Sequence, residues 1–344
     1  MTSEKKSVSL ASIQHLSLTQ WLPLDFATQE MSLTFEQAQQ TFILSENHLP
    51  LMVTDGANLL ELVVFGDIKL STLVNLLGQC QLTLHCLHKI NLRNSVTSYR
   101  FGVQVSDIKQ ARDRLVTFNI SEKIESALLL NAPSLSQPGL LVMDMDSTTI
   151  KIECIDEIAA LAGVGEEVAA VTELAMQGQL DFSESLHQRV AKLKDAPEEI
   201  LAKVAKNIPL MAGLETLVTA LKKQHWRVAI ASGGFTYFAD HLKHMLALDA
   251  AVANVLEINN HQLTGRVLGE VVDAQAKADC LLQLQKQFDI EPRQTVAMGD
   301  GANDLVMMAA AHLGVAFHAK PLVLAQADAC ITSSGLDCLL HWLK

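Results

Sequence analysis

The spacing of apolar and polar residues over residues 1–130 predicts a small domain of mixed strands and helices. Two strands are predicted in "LPLMVTDGANLLELVVFG", around a turn at Asp55-Gly56, and two more in "QLTLHCLHKI" and "SYRFGVQVS". The segments "DIKLSTLVNLLGQC" and "DIKQARDRLVTFNISEKIES" carry apolar residues at helical spacing. We therefore expect an N-terminal α+β domain in this part of the chain.

A different pattern follows "NAPSLSQPG", whose Pro, Ser and Gly content predicts a linker over residues 131–138. Three apolar runs then end in polar clusters, in "GLLVMDMDSTT", "WRVAIASGGF" and "QTVAMGDGAND", and helical segments such as "AKADCLLQLQKQF" separate them. Buried strands that alternate with helices are typical of an α/β fold with a doubly wound, mostly parallel, Rossmann-type sheet. We expect this domain over residues 139–344, with all three polar clusters at the ligand-binding edge of the sheet.

The segment at about residues 154–209 is too long for an ordinary connection between a strand and a helix. Its pattern is helical, in "CIDEIAALAG", "GEEVAAVTELAMQG", "DFSESLHQRVAKLK" and "APEEILAKVAKN". It predicts a small helical cap that stands over the edge of the sheet.

Composition and charge narrow the classes of partner. Hydrophobic residues make up 49% of the 344 residues and charged residues 19%, and the net charge is −12. This balance is typical of a soluble globular protein and disfavours a general nucleic-acid binder. We expect no signal peptide, because the N-terminal segment has no sustained apolar core, and no membrane span, because every apolar run is shorter than roughly 18 residues. The cysteines are scattered and form no CxxC pair, which favours a reducing cytoplasm.

Asp144 and Asp146 follow the first apolar run, one residue apart. In extended backbone these two side chains point to the same side, and two carboxylates in one site need either a bound cation or a shared proton. Mg²⁺ prefers such hard oxygen ligands. A strand-end turn with two solvated acids is the alternative. An EF-hand loop is excluded, because Thr149 and Ile155 occupy the positions of its glycine and its closing glutamate.

The other two polar clusters offer further ligands. In "GDGAND", Asp300 can supply a second metal carboxylate, and Asn303 and Asp304 stand where a helix begins. In "ASGG", the Ser232 hydroxyl and the amides of the glycine turn can form an anion pocket. Each motif alone also fits a glycine-rich turn followed by a helix cap.

Taken together, these clusters resemble the haloacid dehalogenase superfamily, because they occur in the order of that superfamily and at successive strand ends. Within it, "DMDSTTIKIECIDEIA", "AMQGQLDFSESLHQRV", "SGGF", "AQAKAD" and "GDGANDLVM" resemble the phosphoserine phosphatase family, over essentially all of residues 139–344. The resemblance implies that Asp144 is a nucleophile that forms an aspartyl-phosphate, and that Asp146 is the general acid and base. It also implies a Mg²⁺ site formed by Asp144, the backbone carbonyl of Asp146, and Asp300.

The resemblance further implies which residues hold the phosphoryl group. Ser232, the Gly233 amide and Lys277 would bind its oxygens, and Asn303 would contact the phosphate or the shell around the metal. Asp304 would orient Lys277 or a metal-bound water. From the pattern alone, a single lysine on a helix is usually solvated, so the role of Lys277 depends on the resemblance.

Phosphoserine also carries an ammonium and a carboxylate, which a selective site must recognise. Glu153 follows the first strand closely enough to point back into the cleft, and Arg189 lies at the edge of an apolar helical stripe in the cap. A surface arginine whose stem covers the core edge is the alternative for Arg189. The resemblance favours binding, and it assigns Met176 and Phe182 as apolar walls that exclude water.

The expected function is Mg²⁺-dependent hydrolysis of O-phosphoserine, the last step of serine biosynthesis. Two alternatives are an enzyme of the same fold that acts on another small phosphomonoester, as phosphatase or phosphotransferase, and a phospho-accepting receiver module. Asp146 and the cap argue against the receiver, because a phosphorylation switch has no use for a group that hastens hydrolysis. The N-terminal domain resembles ACT-like domains, and this resemblance leaves three roles open: amino-acid binding, dimerisation as a homodimer, or solubility.

Overall fold

A computed structural model describes residues 5–22, 31–45, 60–177 and 179–344. The chain divides into two compact units, Met1–Ala132 together with Leu324–Lys344, and Pro133–Val323. The expected turn at Asp55-Gly56 lies outside the described residues. Among the described residues, no helix has both the length and the apolar content needed to cross a membrane.

The first unit contains an antiparallel sheet in the order β1-β3-β2-β5-β6-β4-β7. Its elements before the second unit are β1 (Lys5–Ser9), α1 (Leu10–Ile13), α2 (Leu18–Trp21), β2 (Met31–Glu36), β3 (Thr41–Ser45), β4 (Leu60–Phe65), α3 (Leu70–Gln79), β5 (Thr83–Arg93), β6 (Val96–Gln104), α4 (Ile108–Glu122) and β7 (Glu125–Leu129). From β4 onward the order is βαββαβ, the split-βαβ arrangement.

The helices α3 and α4 cover this sheet because each presents an apolar stripe at helical spacing. Leu70, Leu73 and Leu77 of α3 and Leu115 and Phe118 of α4 are buried in one core cluster with the inward-facing strand residues. Asp107 caps the N-terminus of α4, because its side chain accepts a hydrogen bond from the Gln110 amide at 3.0 Å. The first unit is therefore a small α+β domain, as the sequence predicts.

The second unit is built on a sheet in which β10, β9, β8, β12 and β13 run parallel in that order, with β11 antiparallel beside β10. Its elements are β8 (Leu140–Met143), α5 (Cys154–Ala162), α6 (Gly165–Met176), α7 (Phe182–Lys192), α8 (Glu199–Lys206), α9 (Leu214–Lys223), β9 (Arg227–Phe235), α10 (Thr236–Leu246), β10 (Ala250–Asn259), β11 (Gln262–Leu268), α11 (Ala274–Gln287), β12 (Thr295–Gly299), α12 (Leu305–Ala310), β13 (Leu313–Phe317) and α13 (Pro321–Leu324).

The strand order of the second unit reverses between β8 and β12, which makes the carboxyl ends of these strands the expected ligand site. The four helices α5 to α8 form the predicted cap. The hairpin β10–β11 is joined to this cap by backbone hydrogen bonds, for example from Leu263 N to Ala196 O at 2.9 Å. The predicted fold class, a doubly wound and mostly parallel α/β sheet with a helical cap and a small α+β unit, is confirmed.

The last residues of the chain, with β14 (Ala329–Ile331) and α14 (Leu339–Trp342), are grouped with the first unit. Arg100 of β6 is 3% exposed and donates hydrogen bonds to the backbone carbonyls of His341, Trp342 and Leu343. It also pairs with Glu61 at 2.9 Å. These bonds satisfy carbonyls that the end of α14 leaves without helical partners, and they attach the C-terminal segment to the sheet.

Candidate active site

Three strand ends of the second unit meet at the switch point. Asp144 directly follows β8, Asp300 directly follows β12, and the turn of Ser232, Gly233 and Gly234 ends β9. The parallel pairing of Met143 with Met298, together with a hydrogen bond from Asp144 N to Met298 O at 2.9 Å, fixes the two acidic strand ends side by side. The register of the sheet thus brings together residues that are far apart in sequence.

Lys277 joins two acidic residues below the strand ends. Its Nζ lies 2.6 Å from Oδ1 of Asp144 and 2.8 Å from Oδ1 of Asp304, and its side chain is 0% exposed. Asp273 caps α11 by accepting a hydrogen bond from Ala276 N, which starts the helix that carries Lys277. Burial alone would lower the pKa of Lys277, but the Asp144 and Asp304 carboxylates outweigh burial and raise it. Lys277 is therefore a permanent cation in this site.

Negative charge nevertheless exceeds positive charge around Asp144. Burial raises the pKa of Asp144 well above its usual range, Lys277 opposes that rise, and Asp304 and Asp146 add to it. Burial and the charge of Asp304 likewise raise the pKa of Asp300 to about 6. Carboxylate oxygens of Asp144, Asp300 and Asp304 all lie within 4.8 Å of one another. Such a set of hard, crowded oxygens fits a divalent cation.

The two oxygens of Asp304 are already engaged. One accepts from Lys277 and the other accepts from the Gly301 amide at 3.0 Å. A Cβ on Gly299 would lie 2.3 Å from the Asp304 carboxyl, so this glycine gives Asp304 room to reach Lys277. Thr148 donates to Oδ1 of Asp300 at 3.1 Å and orients it. Asp300 therefore suits a ligand role and Asp304 a positioning role.

Asp146 lies on the cap side of Asp144. Its Oδ1 accepts from the Cys154 amide at 3.2 Å, and a Cβ on Gly234 would lie 2.8 Å from its Oδ2. Burial, and after it the charge of Glu153, raises the pKa of Asp146 to about 7. A carboxyl group with this pKa can both give and take a proton near neutral pH.

The Ser-Gly-Gly turn has a fixed internal hydrogen bond. The Gly234 amide donates to Oγ of Ser232 at 2.9 Å, so this hydroxyl has its own hydrogen left to donate to another group. Phe182 packs against the turn so closely that a Cβ on Gly233 would lie 2.5 Å from its ring. Close contact with the cap is therefore a reason for glycine at this position.

A cavity of about 410 Å³ lies between these strand ends and the cap. Among the predicted site residues, those that line it are Asp144, Asp146, Glu153, Phe182, Arg189, Ser232, Gly233, Asp300 and Asn303. Lys277 and Asp304 are not among its lining residues, and Lys277 pairs with Asp144, which is one of them. Met176 is the last residue of α6, and its side chain lies outside the described part of the chain.

Glu153 and Arg189 give this cavity a carboxylate and a guanidinium. Ser147, which has a left-handed φ of 59°, donates from its hydroxyl to Oε1 of Glu153 at 2.7 Å. Burial lowers the pKa of Arg189, and the charges of Asp156, Glu153 and Asp146 offset only part of this decrease. The guanidinium therefore lies in a partly desolvated site with acidic neighbours.

Among the lining residues with polar side chains, sequence reasoning missed three, Asp156, Thr172 and Lys320. Asp156 stands three residues after Glu153 in the first turn of α5, a spacing that could have indicated a shared helix face. Thr172 lies on α6 and Lys320 in the loop between β13 and α13, and only the folded chain brings them to the cavity.

Comparison with known protein families identifies one that matches this chain. The model of the haloacid dehalogenase-like hydrolases matches residues 139–312. The chain belongs to this family. It is a family of hydrolases, and in this chain the match covers β8 to β12, the cap, and the predicted catalytic residues Asp144 and Asp146.

Curated relatives and a solved structure add a finer likeness. The chain is 62% identical over 214 residues to a phosphoserine phosphatase of Vibrio cholerae. The aligned region covers 62% of this chain and 65% of that relative. It is 56% identical over 229 residues to a phosphoserine phosphatase of Haemophilus influenzae, and the aligned region covers 67% of this chain and 73% of that relative. The unliganded crystal structure of a probable phosphoserine phosphatase from Vibrio cholerae matches with a TM-score of 0.70 and 49% identity, over 82% of this chain and 86% of that one.

Proposed function

We propose that this protein hydrolyses O-phosphoserine to serine and inorganic phosphate, through an aspartyl-phosphate on Asp144. The observation that carries the proposal is the cavity. Asp144 and Asp146 line it, and Glu153 and Arg189 in the same lining supply opposite charges for the ammonium and the carboxylate of the substrate. The identity of 62% to a phosphoserine phosphatase supports the same substrate.

In the first step, an Asp144 carboxylate oxygen attacks phosphorus and the bond from phosphorus to the serine oxygen breaks. The serine oxygen leaves with the bonding electron pair and takes a proton from Asp146. In the second step, a water molecule gives a proton to Asp146 as its oxygen attacks phosphorus. The bond to Asp144 then breaks, which restores the carboxylate and releases phosphate. The pKa of Asp146, raised to about 7, suits both transfers.

Mg²⁺ is the proposed cofactor, held by Asp144, the backbone carbonyl of Asp146, and Asp300. The support is the excess of buried negative charge and the crowding of carboxylate oxygens within 4.8 Å. When bound, the ion supplies positive charge that offsets the repulsion between an anionic nucleophile and an anionic substrate. Asp304 then serves to hold Lys277, because both of its oxygens already accept hydrogen bonds.

The phosphoryl oxygens are bound by Lys277, the Ser232 hydroxyl and the Gly233 amide, and Asn303 contacts the phosphate from the start of the next helix. The loose, highly charged transition state of phosphoryl transfer gains most from fixed donors and cations of this kind. Phe182, and by the family resemblance Met176, exclude water from the cavity.

The wider setting follows from the same proposal. Release of serine from its phosphate ester fits the last step of serine biosynthesis in the cytoplasm, and the buried, unbridged cysteines support a reducing compartment. The βαββαβ unit supports an ACT-like domain over residues 1–130 that dimerises the chain or regulates it. Residues 131–138 would link it to the phosphatase domain.

The test is phosphate release from a panel of phosphomonoesters, with Mg²⁺ and with a chelator. We expect O-phosphoserine to give the highest kcat/KM and chelation to abolish release. A higher kcat/KM for another small phosphomonoester would favour that substrate instead. Stoichiometric phosphorylation without turnover would indicate a receiver module.

A further inference from the structure

The Ser-Gly-Gly turn interrupts the pairing of β9 with β10. Ala231 pairs with Val252 and Phe235 pairs with Asn254, so Ser232, Gly233 and Gly234 together face only Ala253. The turn is thus a bulge that leaves the ladder between these two strands. Backbone polar groups in such a bulge need other partners when they are buried.

Asn254 supplies one of these partners. Its side chain is 2% exposed, and its Nδ2 donates to the Gly233 carbonyl at 2.8 Å. Its Oδ1 accepts from the Val272 amide, also at 2.8 Å. Val272 directly precedes Asp273, which caps the helix that carries Lys277. A single side-chain amide therefore connects the Ser-Gly-Gly turn to the approach of α11.

The bond to Gly233 controls a specific peptide plane. The Gly233 carbonyl and the Gly234 amide belong to the same peptide group, and that amide donates to Oγ of Ser232. Two adjacent glycines leave this plane free to rotate unless both of its polar groups are held. With the plane fixed, the Ser232 oxygen accepts from Gly234, and its hydrogen is directed to another acceptor.

We infer that Asn254 is a positioning residue for phosphoryl binding: it holds the Gly233–Gly234 peptide so that Ser232 and the Gly233 amide bind the phosphoryl oxygens. This role rests on the proposed function, in which Ser232 and the Gly233 amide bind the phosphoryl group of the substrate. It acts on the part of the ligand that every phosphomonoester and inorganic phosphate share.

The test compares two substitutions with a matched control. Asn254→Asp keeps the size and the acceptor for Val272 but replaces the donor to Gly233, and Asn254→Ala removes both bonds. Asn259→Asp makes the same charge change at an exposed position of the same strand. For each variant, kcat and KM for O-phosphoserine and for an aryl phosphate, inhibition by inorganic phosphate, and the thermal midpoint are measured.

We expect both Asn254 variants to lose about 10- to 100-fold in kcat/KM on both substrates, since a small misplacement of binding groups costs up to this much. Inorganic phosphate should inhibit them more weakly by a similar factor, and Asn259→Asp should match the wild type. If the wild type hydrolyses the aryl phosphate but not O-phosphoserine, the proposed substrate is wrong. The variants would then still test the role of Asn254, through kcat/KM for the aryl phosphate and inhibition by inorganic phosphate.

Three results would overturn the inference. Folded Asn254 variants with kcat/KM and phosphate inhibition within about twofold of the wild type would assign Asn254 to the fold alone, because a positioning role predicts the larger loss. Loss on O-phosphoserine only would place its effect at the amino-acid end of the substrate. Absence of cooperative unfolding in both variants would also make Asn254 a purely structural residue.

Discussion

The ammonium of Lys277 lies 2.6 Å from Oδ1 of Asp144, and both side chains are buried. Because Asp304 is the second partner of this ammonium, Lys277→Met would leave two carboxylates buried next to each other. We expect a loss of about 3–5 kcal/mol in the free energy of unfolding at neutral pH, as for other broken buried ion pairs. Urea unfolding measures it, with the exposed Lys286→Met on the same helix as the control. Equal stability of the two variants would contradict the proposed charge network.

Asp144→Asn keeps the shape of the side chain but removes the proposed nucleophile. We expect turnover of O-phosphoserine to fall by at least about 10⁴-fold, since an amide cannot replace the carboxylate that forms the proposed covalent intermediate. The exposed Asp279→Asn on α11 is the matched control for the same chemical change. Residual activity of more than a few per cent in a folded Asp144→Asn protein would remove Asp144 from this role.

The activity should depend on pH in a way that reveals Asp146. Its pKa of about 7 means that the protonated form, which the serine oxygen needs, declines tenfold per pH unit above that value. We expect kcat/KM for O-phosphoserine to fall as pH rises, and kcat/KM for an aryl phosphate with a good leaving group to fall less. Glu153→Gln removes a nearby negative charge, so the decline should begin at lower pH. Identical profiles for both substrates would assign the proton transfer to another group.

Arg189→Ala should discriminate between substrates. The guanidinium is proposed to bind the substrate carboxylate, so we expect KM for O-phosphoserine to rise about 10- to 100-fold, in line with a lost charged hydrogen bond, and KM for an aryl phosphate to change little. Arg266→Ala removes the same charge from an exposed position on β11 and serves as the control. An equal rise on both substrates would mean that Arg189 supports the cap rather than the substrate.

Stability at mild acid should depend on His341 in the C-terminal segment. This ring is 1% exposed, its Nδ1 lies 2.8 Å from Oγ of Ser98, and burial, with Arg93 and Arg100 nearby, lowers its pKa to about 4. Between about pH 6.5 and 4 the unfolded chain binds the proton and the folded unit does not, so stability falls as pH falls. The expected loss from pH 7 to pH 5 is about 2 kcal/mol.

Calorimetric unfolding of the wild type and of His341→Gln at the two pH values measures this loss. The variant has no imidazole to protonate, so its pH dependence should be smaller by that amount. An unchanged pH dependence would mean that His341 does not control acid stability.

Local pattern and motif spacing predicted the parts of the molecule that depend on neighbouring residues. The sequence pattern predicts Asp144, Asp300 and the Ser232 turn at strand ends, because in an α/β sheet an apolar run followed by a polar cluster marks the carboxyl end of a buried strand. Lys277 shows where this reasoning ends. Its helix position alone suggests a solvated lysine, and its burial depends on Asp144 and Asp304, which approach from two other elements.

Features that depend on long-range pairing could not be predicted. The role of Asn254 arises from a register shift between two strands, which leaves no trace in the local sequence. The bonds between the hairpin β10–β11 and the cap depend on long-range contact in the same way. The hairpin itself is local, with a two-residue turn at Asn260 and His261, and the sequence analysis did not identify it. Leu324–Lys344 is grouped with the first unit, where Arg100 is one of the residues that bind it, whereas the sequence pattern predicts a domain that runs to residue 344.

That grouping has a consequence for synthesis on the ribosome. Pro133–Val323 is inserted between the two stretches that make up the first unit, so the catalytic unit is complete before the first unit has its last pieces. Until residues 341–343 emerge, the guanidinium of Arg100 lacks the carbonyls that receive its hydrogen bonds. The nascent chain should therefore acquire a folded catalytic unit first, and the portion made earliest should reach its final form last.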